Sequence, residues 1–240
     1  MRRLLRAWDR AFHPLRRRWA TLALKTRCTL YPPRQILVVC YGNLCRSPFA
    51  ARLLARALEA HGVVVRSAGL GAIRVTPPAM AITAAGRRGT PIDGHVSTPV
   101  THAMVAEADL MIAMDARQRR TLSDVFGVSP RRILVLGDCD PEPIDRRGIP
   151  DPITGTSLDF DACYARIERC VTALVAILEA ARSARSESTT PSTGRGEGGG
   201  ADGAGRSIRP IAEATERSAA TPSSQPSTIA GIQSSIANSS

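Results

Sequence analysis

The chain of 240 residues has no pair of C-x-x-C elements, and its aromatics are only two Trp, three Tyr and four Phe. It has no apolar stretch that reads as a secretory signal or a membrane span. The first absence argues against a structural zinc site. Its six cysteines, at 28, 40, 45, 139, 163 and 170, are too sparse for a disulfide scaffold. A reducing cytoplasm is the compartment they fit. Acidic residues are scarce in one place: residues 1–34 hold ten Arg and Lys against Asp9 alone, which is +9 of the formal net charge of +11. The rest is close to balance, so no nucleic-acid-binding domain is expected.

Composition divides the chain into three zones. Residues 1–34 form a basic N-terminal extension rich in Arg, Trp and Leu. Residues 35–182 alternate apolar and polar segments and are long enough to bury a core. Residues 183–240 are Ser, Thr, Gly, Pro and Ala without one aromatic, and such a tail is expected to be disordered.

In the middle zone, Gln35–Cys40 is a short β-branched run expected as a buried strand. Strong helix formers follow from Ser47 to His61. Val63–Ser67, Leu110–Met114 and Ile133–Leu136 are further strand candidates, and Pro77–Gly86 a helix opened by proline. Leu158–Arg182 is a long amphipathic helix with Phe160, Tyr164, Ile167, Val171, Leu174 and Leu178 on one stripe. Strands alternating with helices predict an α/β fold, a parallel sheet covered on both faces. Ligands of such sheets sit beyond the carboxyl ends of the strands.

The turn after the first strand reads Cys40-Tyr-Gly-Asn-Leu-Cys-Arg46-Ser47, a C-x5-R-S arrangement. Spacing alone means little, because Cys28 to Arg34 and Cys163 to Arg169 repeat it. Only Cys40 ends a strand and precedes a helix. A loop closing onto a helix N-terminus turns backbone N–H groups inward, a cradle for a phosphate dianion. The same field stabilises a thiolate. Arg46 can offer its planar fork to two phosphate oxygens, and Ser47 can donate to the sulfur. The bland alternative is a buried cysteine at a strand end, and Gly42, Arg46 and Ser47 together weigh against it.

Val39-Cys-Tyr-Gly-Asn-Leu-Cys-Arg-Ser-Pro48 resembles the signature loop of the low-molecular-weight protein tyrosine phosphatases. Ser67-Ala-Gly-Leu-Gly71, Gly94-His95, Ala108-Asp-Leu-Met-Ile-Ala-Met-Asp115 and Ile149-Pro-Asp-Pro152 extend the resemblance, in order, over about 36–178. The resemblance implies four parallel strands flanked by helices in three layers, with no metal or organic cofactor. It implies Cys40 as nucleophile, Arg46 on the phosphate and Asp151 as general acid and then base. Read from residues alone, Asp138, Asp140, Glu142 and Asp145 compete with Asp151 for that last role. Tyr41, Gly42, Asn43, Leu44, Cys45 and Ser47 would form the substrate-binding face, and Ser67 and His95 would join Asn43 and Ser47 in a supporting network. Cys45 could close a disulfide on Cys40 under oxidants.

Many family members wall the phosphotyrosine ring with aromatics where this chain has Ile73 and Ile153, which offer no π face. The block from Ser67 to Ile73 is most similar to bacterial members tied to exopolysaccharide export, which act on tyrosine autokinases. Leu44 stands where the arginine-phosphatase branch has threonine. Two rival functions are kept: an arsenate reductase of the same fold, and a weakly active phosphopeptide-binding module. The arsenate enzymes need a redox cysteine pair that residues 77–108 lack.

In the extension, Leu4, Trp8, Phe12, Leu15, Trp19 and Leu22 make an apolar stripe among arginines, with Pro14 expected to kink or divide the helix. Peripheral membrane contact through residues 1–26, at the inner face of the membrane, is one expectation. The alternatives are a helix docked on the catalytic domain, unstructured residues added by a misassigned start codon, and, in a eukaryotic source, a transit peptide.

Overall fold

Along β1 (Gln35–Cys40) the side chains of Ile36, Val38 and Cys40 enter one apolar cluster and those of Leu37 and Val39 another. A strand buried on both faces belongs in the middle of a covered parallel sheet. The computed structural model shows this arrangement and describes residues 2–189; the expected disordered tail lies, from 190 on, outside them.

The sheet runs β2-β1-β3-β4 and is parallel throughout, with β2 spanning Val64–Gly69, β3 Leu110–Ala113 and β4 Ile133–Val135. On one face lie α2 (Arg46–Leu58), α3 (Ala79–Arg87) and α6 (Ser157–Thr189), whose Phe49, Leu54, Ala84, Phe160, Tyr164 and Leu174 are fully buried. The other face is covered by α4 (His102–Glu107) and α5 (Ala116–Phe126), through Val105 and Leu122. Neither α4 nor α5 was expected from the sequence. α5 turns Leu122, and in part Phe126, into the apolar cluster, so its apolar stripe is short. Its end signals were legible: Asp115 accepts the Gln118 N–H at 2.8 Å, and Gly127 closes it with φ 64°.

The N-terminal segment forms one helix, α1 (Arg2–Leu30), that continues through Pro14 undivided. Contacts on both sides of the proline hold it to the domain. Asp9 Oδ2 accepts the Arg147 N–H at 3.1 Å, and His13 Nε2 lies 3.0 Å from the Asp140 carbonyl. Leu24 and Cys28 are buried in the core, and Arg27 donates to the Arg131 carbonyl at 2.8 Å. α1 is therefore docked on the domain, which leaves the membrane expectation open for its other face. At the other end α6 outruns its apolar stripe to Thr189, with Arg185 donating to the Thr29 and Leu30 carbonyls of α1. Ser183–Thr189 is helical for that reason, not part of a disordered tail.

Candidate active site

Cys40 stands at the carboxyl end of β1, opposite Gly69 in the register with β2. Its Sγ receives the Asn43 N–H at 3.2 Å and lies 3.0 Å from Ser47 Oγ. Asn43 Nδ2 donates to Ser47 Oγ and Ser67 Oγ, both at 2.9 Å. With that bond accepted, the Ser47 hydroxyl proton is available to the sulfur.

Asn43 adopts φ 54°, a left-handed conformation that Asn enters more readily than other non-glycine residues. Its Oδ1 accepts the Thr98 N–H at 2.8 Å, and His95 Nε2 reaches the Asn43 carbonyl at 2.9 Å. Burial lowers the His95 pKa, which favours the neutral ring with its proton on Nε2. All four residues assigned to the network meet at Asn43. Thr98 was missed, and no sequence signal marks it because it contributes only its backbone N–H.

Two glycines let β2 close on the loop. A Cβ at Gly69 would come within 2.6 Å of the Tyr41 carbonyl oxygen, and one at Gly71 within 2.8 Å of the Tyr41 ring. The close approach allows Leu70 N–H to donate to the Cys40 carbonyl at 3.1 Å and Gly71 N–H to the Tyr41 carbonyl at 2.9 Å. From below, the Tyr164 hydroxyl donates to the Cys45 carbonyl at 3.4 Å, while its ring stacks on Phe49 at 4.0 Å. Burial pushes the Tyr164 hydroxyl pKa upward, so it remains a donor. Its place on the α6 stripe showed burial. A buried tyrosine that must find a partner was the signal of a role at the loop.

Cys45 caps α2 without a side-chain hydrogen bond, which leaves first-turn N–H groups for a ligand. Arg46 is 4% exposed; its Nη1 donates to the Ile149 carbonyl at 3.2 Å, its Nη2 pairs with Asp151, and its Nε is buried without a partner. A guanidinium beside helix N-terminal donors is an arrangement that suits an anion.

The competing carboxylates are engaged elsewhere. Asp138 pairs with Arg147 at 2.7 Å, Asp140 with Arg166 at 2.9 Å, Glu142 with Arg169 at 3.2 Å and Asp145 with Arg10 at 3.1 Å. Only Asp151 of these reaches Arg46. The loop that carries Asp151 is anchored by the Ile149 N–H, which donates to the carbonyl of Met114, just past β3, at 2.9 Å.

Cys40, Tyr41, Gly42, Leu44, Cys45, Arg46 and Asp151 line one cavity of about 220 Å³, walled by Ile73, Val75 and Ile153. Tyr41 and Ile73 are 65% and 77% exposed, so the mouth is apolar and open to solvent. Cys40 and Cys45 are both free thiols. Burial pushes Cys45 upward in pKa and Cys163 up to about 12, so neither is activated as a nucleophile.

Residues 35–184 match the family model of the low molecular weight phosphotyrosine protein phosphatases. The low molecular weight protein-tyrosine-phosphatase Wzb of Salmonella typhi is 35% identical over 137 residues, 56% of this chain and 87% of that protein. The crystal structure of the tyrosine phosphatase Wzb from Escherichia coli in complex with sulphate superposes with a TM-score of 0.56 at 30% identity, covering 61% of this chain and 99% of that one. The YwlE arginine phosphatase from Geobacillus stearothermophilus shares the fold with a TM-score of 0.55 at 26% identity, over 61% of this chain and 94% of its own.

Proposed function

The chain belongs to the low molecular weight phosphotyrosine protein phosphatase family, and from that premise we propose that it hydrolyses phosphotyrosine in proteins through a phosphocysteine on Cys40. The observation that carries the reading is the convergence on one cavity of Cys40, Asp151 and Arg46, whose Nε is buried without a partner. The catalytic unit is assigned to residues 35–182, with residues 1–34 as its extension.

Phosphate enters the cradle at the start of α2, where Arg46 and the loop N–H groups take its equatorial oxygens. Cys40 thiolate attacks phosphorus in line as the bond to the phenolic oxygen breaks. Asp151, protonated, gives its proton to that oxygen, so tyrosine leaves neutral. Asp151 carboxylate then takes a proton from water as the water oxygen attacks phosphorus, and Cys40 leaves as thiolate. Ser47 and the Asn43 N–H, both at the sulfur, stabilise it as it departs. Before substrate binds, Asp151 holds Arg46, so an arriving phosphate competes for the same guanidinium.

Tyrosine is favoured over arginine as the phosphorylated residue. The cavity has an apolar mouth of Tyr41, Ile73 and Ile153 that suits an aryl ring, and Leu44 lines it where the arginine-phosphatase branch has threonine. Arsenate reduction is disfavoured because Cys139, Cys163 and Cys170 are buried and held as thiols by that burial. The likeness to exopolysaccharide-associated members supports a tyrosine autokinase of polysaccharide export as substrate, met in the cytoplasm at the inner face of the membrane.

Turnover of an aryl phosphate by the purified chain tests the reading. Cys40→Ser should lower kcat at least about 10⁴-fold. Asp151→Asn should lower it about 10²- to 10³-fold with a smaller change in KM. A wild-type chain inactive under reducing conditions, or a Cys40→Ser variant as active as wild type, would overturn it.

A further inference from the structure

The apolar stripe of α1 is its outer face. Trp8 and Trp19 are 63% and 64% exposed, and Phe12, Leu15 and Leu22 are exposed with them. At about 100° per residue these five fall within an arc of about 80°, and the residues that dock α1, His13, Leu24 and Cys28, lie about 140–160° from its centre. The stripe therefore points directly away from the domain. Along the axis it runs from Trp8 to Leu22, about 21 Å. Trp8 and Phe12 stack at 4.8 Å, so the aromatic surface is continuous.

An apolar face of this size, held outward on a helix anchored from behind, is a docking surface. Charge identifies what it fits. Arg18 and Lys25 are exposed on one flank of the stripe and have no ion pair among the described residues. Of the first 34 residues ten are basic and one acidic, and Asp9, that one, is spent on Arg16 and the Arg147 N–H. A helix with Trp, Phe and Leu outward and unpaired cations beside them matches the interface of an anionic bilayer. There the rings enter the acyl boundary while long basic side chains reach the headgroup phosphates.

We propose that the outward face of α1 (Trp8, Phe12, Leu15, Trp19 and Leu22) docks the enzyme on an anionic lipid surface. It lies flat there with its docked side, and the domain behind it, toward the cytoplasm. The surface supplies a means for the inner-face setting of the proposed function, yet rests on no property of the catalytic loop. Its failure would leave the phosphatase reading intact.

Both tryptophans of the chain lie on this stripe, so tryptophan emission, excited apart from tyrosine, reports on it alone. The full chain should co-sediment with phosphatidylglycerol vesicles, with a blue-shifted Trp emission protected from aqueous quenchers. Vesicles of phosphatidylcholine should capture at least about tenfold less, and added salt should weaken binding. The double variant Trp8→Glu, Trp19→Glu should lose vesicle binding about tenfold or more while turning over soluble aryl phosphate at the wild-type rate, which verifies its fold. The Cys40→Ser variant should bind vesicles as wild type does. No binding at low salt, equal binding to phosphatidylcholine, or binding undiminished in the double Glu variant would each overturn the proposal. A blue shift that grows with protein concentration without vesicles would assign the face to a second copy of the chain instead.

Discussion

The catalytic loop buries its polar groups, and α1 exposes its apolar ones. In the loop, Asn43 and Ser47 are fully buried, and each polar atom that orders the nucleophile has a partner. On α1 the largest apolar side chains face water while a histidine is turned inward. Each is an inversion of the ordinary inside-outside pattern, and such inversions concentrate at functional surfaces. They differ in what maintains them. The loop inversion is maintained by hydrogen bonds that lose their value if one member is removed. The α1 inversion is maintained by anchors on the opposite face, so the stripe itself should contribute little to stability.

The largest effect that would test this contrast is expected at Asn43. Asn43→Ala removes the side-chain bonds to Ser47, Ser67 and Thr98, keeps the His95 contact to the backbone carbonyl, and leaves buried partners unsatisfied in a backbone conformation alanine resists. We expect a loss of about 3–4 kcal/mol in urea unfolding, with a fall in kcat because Ser47 and Cys40 lose their alignment. A loss under about 1 kcal/mol would mean that the network is ornamental to the loop.

Next comes a pair within α1. Leu24→Ala, on the docked face, should cost about 2–3 kcal/mol, whereas Trp19→Ser, on the stripe, should stay within about 0.5 kcal/mol. Equal costs measured by denaturant titration would break the argument that α1 is held from one side only. At the cavity mouth, Ile153→Trp supplies the missing ring face. It should lower KM for aryl phosphates about three- to tenfold, the value of an aromatic pair, with kcat little changed.

How far the sequence disclosed these features follows from the kind of interaction each one uses. Cys40, Arg46 and Ser47 were legible because strand, turn and helix start are local events, and phosphate chemistry needs those side chains at that spacing. Asp151 was not legible from its surroundings alone. Five carboxylates crowd residues 138–151, and only the folded pairings of Asp138, Asp140, Glu142 and Asp145 with arginines other than Arg46 separate them. α5 was missed because its apolar stripe is short, Leu122 and Phe126 one turn apart. The stripe of α1 was read correctly as a stripe, but which face would dock depended on partners in α6 and the turn at Leu136–Cys139. Periodicity fixes a helix's faces and says nothing of which one a distant element covers.

The smallest expected effect lies where the network meets solvent. His95 has its pKa lowered by burial, and its Nε2 proton points to Asn43. In the unfolded chain a histidine protonates near pH 6.5. Between that value and its lower folded pKa the unfolded state binds more protons, so stability rises with pH across the window. The contribution is therefore complete above about pH 6.5 and lost as the pH falls toward the folded pKa. Half-exposed as the ring is, solvent moderates the penalty, and the decline should be shallow. His95→Gln, which keeps a donor near the Asn43 carbonyl without a titratable group, should flatten the pH profile of urea midpoints between about 5 and 7. A slope unchanged in that variant would place the titrating group elsewhere. It would leave His95 a steric neighbour of Asn43 with no electrostatic hold on the loop.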